Sequence, residues 1–376
     1  MTTNSLPDLT AAHNGQPLLE RLLDLTVAIQ QIPAPTFGET ARAKFVLDTF
    51  RGEALSDIST DAVGNVYARL PGQGTALPLV VSAHLDTVFP LETDLAVQRE
   101  PERMAGPGIG DNALGVAGLF GLLWVLRSRP LPGDLWLVAN VGEEGLGNLW
   151  GMRAVVDRFA AQVKAYLVLE GLSLGQVYHR GLAVQRYEIT TQTGGGHSWV
   201  DFGKPSAVHE LATLVQRLSS LPLLSRPRTS LNVGVFSGGT SVNTIAAEAR
   251  CLVDLRSEDK SALEALTLQV EKLIRGTNRP GVHVSARVVG QRPAGAIPTS
   301  HPLVKLAASC LEAVHIQPRL NIGSTDANLP LSRGLPAVCL GLTTGGGAHT
   351  TGEFIETRPV QKGLEQLVSF VEKVFD

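Results

Sequence analysis

Residues Leu79 to Asp86 read LVVSAHLD, a short apolar run that ends in a histidine and an aspartate. Similar apolar runs occur at Leu135–Val141, Ala165–Leu169 and Ala337–Leu342, and helical patterns such as Ala113–Arg127 lie between them. Nearly continuous apolar runs of this length are typical of parallel strands that are buried on both faces. The first and last parts of the chain therefore predict one α/β domain with a mostly parallel sheet.

The middle of the chain has a different order of elements. Its strand and helix patterns follow the order β-α-β-β-α-β, over Leu182–Thr193, Ser206–Leu218, Ser230–Phe236, Ile245–Leu255, Ser261–Ile274 and Val282–Val288. This is the split β-α-β order of ferredoxin-like domains. We therefore predict that residues 180–291 form an inserted domain, and that residues 1–179 and 292–376 together form the other domain.

Composition limits the possible functions. The chain has 376 residues, enough for about two domains, and its net charge of −3 gives no broad basic surface for nucleic acid or anionic lipid. The most apolar run, Gly115–Leu126, is shorter than the ~20 residues of a membrane-spanning helix and predicts a buried helix. Three cysteines without paired spacing, and an N-terminus without the pattern of a signal peptide, predict a cytoplasmic protein.

Polar residues follow the predicted strands, at the edge where sites gather in open α/β sheets. His84 ends the first strand, and Asp86, two residues further on, projects to the same side. A carboxylate bonded to the second imidazole nitrogen commonly orients a metal-bound histidine. Asp111 stands just before the predicted buried helix, where it could equally be a helix N-cap.

Acidic residues also follow the next two strands. Glu143 and Glu144 are adjacent, and adjacent carboxylates repel each other unless a cation offsets their charge, although two solvated loop glutamates are an alternative. Glu170 comes directly after the run that ends at Leu169. After the last strand, a glycine-rich loop leads to His349.

Taken together, these residues predict a metal centre. Mixed imidazole and carboxylate ligands suit zinc, manganese or cobalt, and the lack of paired cysteines argues against a structural zinc site. Five ligands and one spare acid are what two metal ions about 3.5–4 Å apart would need. The set consists of His84, Asp111, Glu143, Glu144, Glu170 and His349.

With these residues in place, the chain resembles the dinuclear zinc exopeptidases and deacylases of peptidase family M20. That family includes carboxypeptidase G, aminoacylase, acetylornithine deacetylase, succinyl-diaminopimelate desuccinylase and peptidase T. The resemblance spans nearly the whole chain and lies in the motifs SAHLDTV around His84, GIGDN around Asp111, GEEG around Glu143, LEG at Glu170, SVNTI around Asn243, VDLRS ending near Arg256, GSTDAN over Gly323–Asn328 and GGAHT at His349. It implies a metal-binding catalytic domain interrupted by a ferredoxin-like lid and dimerisation domain.

The resemblance also implies a ligand set for two divalent metal ions, which would be zinc, with cobalt or manganese as alternatives. Asp111 would bridge both ions. His84 and Glu170 would complete one site, and Glu144 and His349 would complete the other.

Five further residues receive roles by the same resemblance. Glu143 would be the general base that takes a proton from the attacking water and passes it to the leaving amine, and Asp86 would orient the first histidine ligand. In the inserted domain, His197 resembles the family histidine that reaches across a homodimer towards the developing oxyanion, although its three preceding glycines depart from the family pattern. Asn243 and Arg256 resemble residues expected near the substrate. A guanidinium suits capture of a carboxylate, but Arg256 could instead pair with a neighbouring acid.

The reaction implied by this resemblance is metal-dependent hydrolysis of an amide or peptide bond. A glutamate at the position of Glu170 accompanies carboxypeptidases and deacylases in the family, whereas an aspartate accompanies aminopeptidases. Together with Arg256, this favours small peptides or N-acyl amino acids that carry a free carboxylate. A di- or tripeptide aminopeptidase similar to peptidase T is the alternative, because the motifs are shared.

Two other classes of function are less well supported by the sequence. Residues Gly171–Gly175 match the G-x-S-x-G pattern of serine hydrolases at Ser173, but a nucleophile elbow leads into a helix and Gln176–Thr190 has the pattern of a strand. A non-enzymatic binding protein would be expected to lack a ligand or the general base. Every expected ligand and Glu143 are present.

Overall fold

The computed structural model describes residues 17–55 and 57–376, so most of the segment 1–20, for which we expect no signal peptide, lies outside the described residues. The chain divides into two compact units. The larger unit contains the residues up to Gly181 and those from Gly295 to Asp376, and the smaller unit contains Leu182–Ala294. Sequence analysis places these boundaries at residues 180 and 291.

The secondary-structure elements are numbered in chain order. The helices are α1 (Leu18–Gln30), α2 (Thr40–Gly52), α3 (Gly115–Leu126), α4 (Trp150–Phe159), α5 (Ala207–Ser219), α6 (Lys260–Arg275), α7 (Pro302–Ala313), α8 (Asn328–Ser332) and α9 (Pro359–Lys373). The strands are β1 (Asp57–Thr60), β2 (Val66–Leu70), β3 (Leu79–His84), β4 (Gln98–Arg99), β5 (Arg103–Ala105), β6 (Leu135–Asn140), β7 (Ala165–Glu170), β8 (Gln176–Gly181), β9 (Ala183–Thr193), β10 (Gly196–His197), β11 (Thr229–Gly238), β12 (Thr244–Ile245), β13 (Glu248–Ser257), β14 (Val282–Arg292), β15 (Gly295–Ala296), β16 (Arg319–Gly323), β17 (Ala337–Gly341), β18 (Gly345–Gly346) and β19 (Phe354–Glu356).

The larger unit is built on a mixed sheet with the strand order β1-β2-β6-β3-β7-β17-β8-β15, and β16 pairs with β8. Its centre consists of β6, β3, β7 and β17, which are parallel neighbours. The outer pairs β1–β2, β2–β6, β17–β8 and β8–β15 are antiparallel, whereas β16 pairs with β8 in parallel. These four strands are the apolar runs predicted as the core. The prediction of an α/β fold with a mostly parallel central sheet is confirmed.

The apolar helix α3 packs in the core of the larger unit. The window Ile109–Leu126 is long and apolar enough to cross a membrane by length and composition, but 83% of it is buried inside the structure. Helix α3 packs against α1, α9 and the strands β3, β6 and β7. The predicted buried helix is therefore a helix of the protein core.

The smaller unit consists of an antiparallel sheet with the strand order β11-β13-β9-β14 and the helices α5 and α6. One face of each helix is buried against the sheet, through residues such as Leu211 and Leu214 of α5 and Leu266 and Val270 of α6. The chain order of these elements is the predicted β-α-β-β-α-β order.

Sequence analysis missed a small second sheet in the larger unit. It has the order β18-β19-β5-β4, and its strands are only two or three residues long. Because β19 pairs with β5, the loop 347–353 lies beside the segment 106–111 that leads towards α3. This pairing brings the last part of the chain to the site described below.

Candidate metal centre

The parallel strands at the centre of the large sheet align four of the candidate site residues. β3 ends at His84 and β7 ends at Glu170, while Glu143 and Glu144 follow β6 after two residues. β3 lies between β6 and β7, so the carboxyl ends of the three strands lie side by side. The buried apolar strands thus carry polar side chains to one edge of the sheet.

Asp111 and His349 reach this edge on loops rather than strands. Asp111 lies in the segment Ile109–Leu114 that leads into α3, where its own backbone angles (φ −109°, ψ 86°) are not helical, and His349 lies between β18 and β19. Nε2 of His349 is 3.1 Å from Oδ2 of Asp111 and 3.1 Å from Oε1 of Glu144. On the other side of Asp111, its Oδ1 is 3.1 Å from Nε2 of His84, which is 3.7 Å from Oε2 of Glu170.

These contacts define two donor sets that share Asp111. The first consists of His84, Asp111 and Glu170, and the second of Asp111, Glu144 and His349; within each set the ligand atoms lie within 4.8 Å of one another. A further group of the same compactness joins His84 with Glu143 and Glu144, so Glu143 lies at the centre as well. Imidazole and carboxylate donors gathered in this way fit two metal ions.

The orientation of the His84 imidazole provides a test of that fit. Nδ1 of His84 is 3.0 Å from the backbone carbonyl of Asp86, which only accepts hydrogen bonds, so Nδ1 carries a proton. Nε2 then faces the oxygens of Asp111. An imidazole lone pair that faces a carboxylate is repelled by it unless a proton or a metal ion lies between them. The donor set therefore requires positive charge at its centre.

The acid–base properties of the cluster agree with this requirement. Hydrogen bonds with Asp111 and Glu144 raise the pKa of His349 to about 10. Burial opposes the charge of His84, but hydrogen bonds with the surrounding carboxylates outweigh burial and raise its pKa well above the ordinary value. Burial raises the pKa of Glu170 to about 7. The cluster thus holds protons tightly where a divalent cation would neutralise the same carboxylates.

Asp86 orients several groups of the site in addition to His84, its predicted partner. Its carboxylate oxygens accept hydrogen bonds from the backbone N–H groups of Glu143, at 2.9 Å, and Glu144, at 2.8 Å, and from the hydroxyl of Thr36, at 2.9 Å. Its Oδ1 is 3.5 Å from Nδ1 of His84, so the closer partner of that nitrogen is the Asp86 backbone carbonyl. The three donors hold the carboxylate in place, and Asp86 thereby joins the β3 loop to the two glutamates.

Asn112 is a site residue that sequence analysis did not single out. Its side-chain amide donates to the carbonyl of Leu169, at 2.9 Å, and its oxygen accepts from the N–H of Gly171, at 2.8 Å. These two residues flank Glu170, so Asn112 joins the loop of Asp111 to the end of β7. Its position next to Asp111 in the GIGDN motif was the only signal in the sequence.

The sequence of the chain matches a known protein family. Residues 80–373 match the sequence model of peptidase family M20/M25/M40. The chain belongs to this family. It is a metal-dependent peptidase.

Relatives with similar sequences include an uncharacterized protein and probable carboxypeptidases. YqjE of Bacillus subtilis, an uncharacterized protein, is 23% identical over 96% of this chain and 99% of its own length. A probable carboxypeptidase of Aspergillus clavatus is 25% identical over 74% of this chain and 72% of its own length.

Solved structures share the fold over nearly the whole chain. The aminopeptidase PepT of Bacillus cereus has a TM-score of 0.75 at 23% identity, and covers 95% of this chain and 99% of its own. A dinuclear metal-binding peptidase of the M20 family from Bacillus subtilis has a TM-score of 0.67 at 17% identity, and covers 95% of this chain and 98% of its own.

Of the three predicted site residues of the smaller unit, His197 and Asn243 are close to each other, and Arg256 is distant from both. His197 is in β10, which pairs with β12, and Ser198 N–H donates to the carbonyl of Asn243, at 3.0 Å. Arg256 is near the end of β13, eight residues beyond Glu248, which is ~26 Å along an extended strand. Its Nε donates to Asp254, at 2.6 Å, which is the ion-pair alternative considered for it above.

The imidazole of His197 has a defined tautomer in this peptidase. Nδ1 accepts hydrogen bonds from the backbone N–H groups of Trp199, at 3.2 Å, and Val200, at 3.4 Å. An acceptor nitrogen carries no proton, which places the proton of the neutral ring on Nε2. The exposed His197 side chain therefore presents an N–H donor.

The serine-hydrolase alternative has no structural support at Ser173. This residue has a positive φ of 72°, as a nucleophile elbow would, but the chain continues into strand β8 rather than into a helix. Its hydroxyl oxygen accepts a hydrogen bond from Tyr178, at 3.2 Å. The G-x-S-x-G match is therefore a turn between two strands.

Proposed function

We propose that this peptidase hydrolyses the amide bond of a small substrate with a free α-carboxylate, as a carboxypeptidase or an N-acyl-amino-acid deacylase. The observation that carries the proposal is the pair of donor sets that share Asp111. Two zinc ions held there, one by His84 and Glu170 and the other by Glu144 and His349, would lower the pKa of a water molecule and polarise the scissile carbonyl. Cobalt or manganese would serve with the same ligands.

Glu143 is the general base in this proposal. Its side chain is buried and adjoins the same cluster, next in sequence to the ligand Glu144. Successive residues of an extended segment point to opposite sides, so one glutamate binds a cation while its neighbour faces the attacking water. Glu143 takes the proton of that water and passes it to the leaving amine. Asp86 keeps both glutamates in place through their backbone N–H groups.

His197 supplies the donor for the developing oxyanion. Its Nε2–H is available because the two backbone N–H groups occupy Nδ1. Within one chain His197 follows the end of β9, whereas Arg256 pairs with Val184 at the beginning of β9, so we assign the two residues to different subunits of a homodimer. His197 then acts, with Asn243 beside it, at the site of the partner subunit, and the smaller unit is the lid and dimerisation domain.

The preference for a free carboxylate has three supports. Glu170 stands where carboxypeptidases and deacylases of the family have a glutamate, and the relative from Aspergillus clavatus is named a probable carboxypeptidase. The Nη groups of Arg256 would grip the carboxylate while Asp254 holds its Nε. We expect the enzyme to work in the cytoplasm on small peptides or N-acyl amino acids.

The competing proposal is a di- or tripeptide aminopeptidase. It is favoured by the shared motifs and by the likeness in fold to the aminopeptidase PepT. The two proposals differ in which end of the substrate is recognised.

One dipeptide in two forms separates them. The zinc- or cobalt-loaded protein is given the dipeptide either N-acylated or C-amidated, with a chelator control and with Glu143→Gln as an inactive control. We expect chelator-sensitive cleavage of the N-acylated form alone. Cleavage of the C-amidated form alone would mean that the free amine is recognised, and the aminopeptidase would replace our proposal.

A further inference from the structure

Glu353 is a fully buried carboxylate that adjoins the metal centre but belongs to neither donor set. Its Oε1 accepts hydrogen bonds from the backbone N–H groups of Gly110 and Asp111, both at 2.7 Å. Its Oε2 accepts from the N–H of Gly108, at 3.1 Å. In addition, the N–H of Gly106 donates to the carbonyl of Glu353, at 2.8 Å. The whole segment that ends at Asp111 is thus bonded to one residue.

The same residue belongs to the loop of the second histidine. Glu353 follows His349 by four residues and immediately precedes β19. Its hydrogen bonds therefore join the loop that carries His349 to the loop that carries Asp111. Three converging N–H donors form a concave anion site, and charge-assisted hydrogen bonds of this kind are shorter and stronger than neutral ones.

We propose that Glu353 is a positioning residue, which sets the separation of Asp111 and His349 and thereby the metal affinity of the donor set Asp111, Glu144 and His349. The proposal rests on the two-metal site described above. It concerns a residue that would touch neither metal nor substrate. Loss of a group that orients metal ligands typically lowers metal affinity about 10- to 100-fold.

Glu353→Gln tests this role with little change of shape. A glutamine has one accepting oxygen, and its NH₂ group would meet an N–H donor where the second carboxylate oxygen now accepts. Glu53→Gln is the matched control, because Glu53 is also a buried carboxylate that accepts several hydrogen bonds, but from Arg21, Trp124 and Arg127. Both variants replace one buried carboxyl group by an amide.

The experiment is a titration of the chelator-stripped full-length proteins with Co²⁺, followed by its visible absorption, together with thermal melts. We expect wild type and Glu53→Gln to bind two Co²⁺ ions, and Glu353→Gln to bind one of them about 10- to 100-fold more weakly, with altered absorption. The other ion should be less affected, since Asn112 separately joins Asp111 to the residues that flank Glu170.

Three results would overturn the proposal. If both glutamine variants lower the melting temperature and yet bind two Co²⁺ ions within threefold of wild type, Glu353 only stabilises the fold. Wild-type protein that binds no pair of Co²⁺ ions would remove the metal centre itself, and this proposal with it. Should Glu353→Gln fail to fold, Glu353→Asp tests the same role, because aspartate keeps the carboxyl group but places it one methylene further from the N–H donors. We expect weaker Co²⁺ binding there too, and wild-type affinity would refute the role.

Discussion

Nε2 of His349 lies 3.1 Å from Oδ2 of Asp111, although 238 residues separate them in the chain. In the small sheet of the larger unit β19 pairs with β5, and this pairing carries the His349 loop to the segment before α3. The second donor set is therefore a product of folding, and a metal ion bound there would stabilise the folded state over the unfolded chain.

Asp111→Asn should remove both metal ions, because the aspartate is the one ligand that the two donor sets share. The amide keeps the shape of the side chain but supplies no negative charge to offset a cation. We expect metal analysis after dialysis to find two ions per chain in wild type and less than one in the variant. Asp24→Asn, which alters an exposed ion pair with Arg99, is the control and should retain both. Two tightly bound ions in Asp111→Asn would contradict the shared-ligand assignment.

The stability of chelator-treated protein should fall as the pH rises from 6.5 towards 10. Hydrogen bonds with Asp111 and Glu144 raise the pKa of His349 from 6.5 to about 10 on folding, so the folded state binds more protons in this window. The stabilisation from this group is complete below pH 6.5 and is lost as the pH passes 10. Urea unfolding of wild type and His349→Gln measures the effect, since only wild type has this contribution. Parallel stability curves for the two proteins would rule it out.

Proton release gives a second measure of the same linkage. A metal ion that binds below pH 10 must displace the proton of His349. Metal affinity should therefore rise with pH between 6.5 and about 10, the same range in which the chelator-treated protein loses stability. Calorimetric titration with Zn²⁺ in buffers of different ionisation enthalpy counts the released protons. Binding heats that do not depend on the buffer would be inconsistent with a protonated His349.

The parts of the site that lie on strands were predictable from the sequence. Parallel strands buried on both faces need nearly continuous apolar side chains, so the change from apolar to polar at His84 and at Glu170 marks where each strand ends. Asp111, just before the apolar helix, and His349, after the glycine-rich loop, were also candidates from the sequence, and the family motifs then gave both a ligand role. The structure brings all of these residues together.

The residues that hold the ligand loops were not predictable in the same way. Glu353 acts on the backbone N–H group of Asp111, 242 residues away, and the short strand that follows it has no apolar periodicity that would have located it. The small sheet was missed for the same reason, because strands of two or three residues are too short for an alternating pattern. Local sequence carries no information about which buried carboxylate meets which backbone N–H group.

Two loops that carry ligands approach each other closely at Gly171, so a larger side chain at this position should be destabilising. A Cβ atom at Gly171 would lie 2.1 Å from the carbonyl oxygen of Gly110, so Gly171→Ala must push apart the segments that carry Glu170 and Asp111. We expect a loss of about 1–3 kcal/mol in the free energy of unfolding and weaker metal binding. Gly52→Ala is the matched control, because among the described residues no atom lies within 4 Å of the added Cβ.

Chemical denaturation and Co²⁺ titration of both alanine variants provide the comparison. Gly52 lies at the end of helix α2, where alanine is favoured over glycine by up to about 1 kcal/mol, so this control should be neutral or slightly stabilising. Equal stability and equal metal affinity in the two variants would show that the loops tolerate the separation.

Glu143→Gln should lower the catalytic rate without removing the metal ions. In our proposal Glu143 moves the proton and is not a ligand, so the amide should leave two bound metal ions while kcat falls by about 10²- to 10⁴-fold, the usual contribution of a general base. Metal analysis and steady-state kinetics on the same preparation test both halves, with the exposed Glu92→Gln as a control for the charge change. A variant that lost its metal together with its activity would make Glu143 a ligand. A variant that kept full activity would move the proton transfer to another group, and the buried Glu143 would then only balance charge in the cluster.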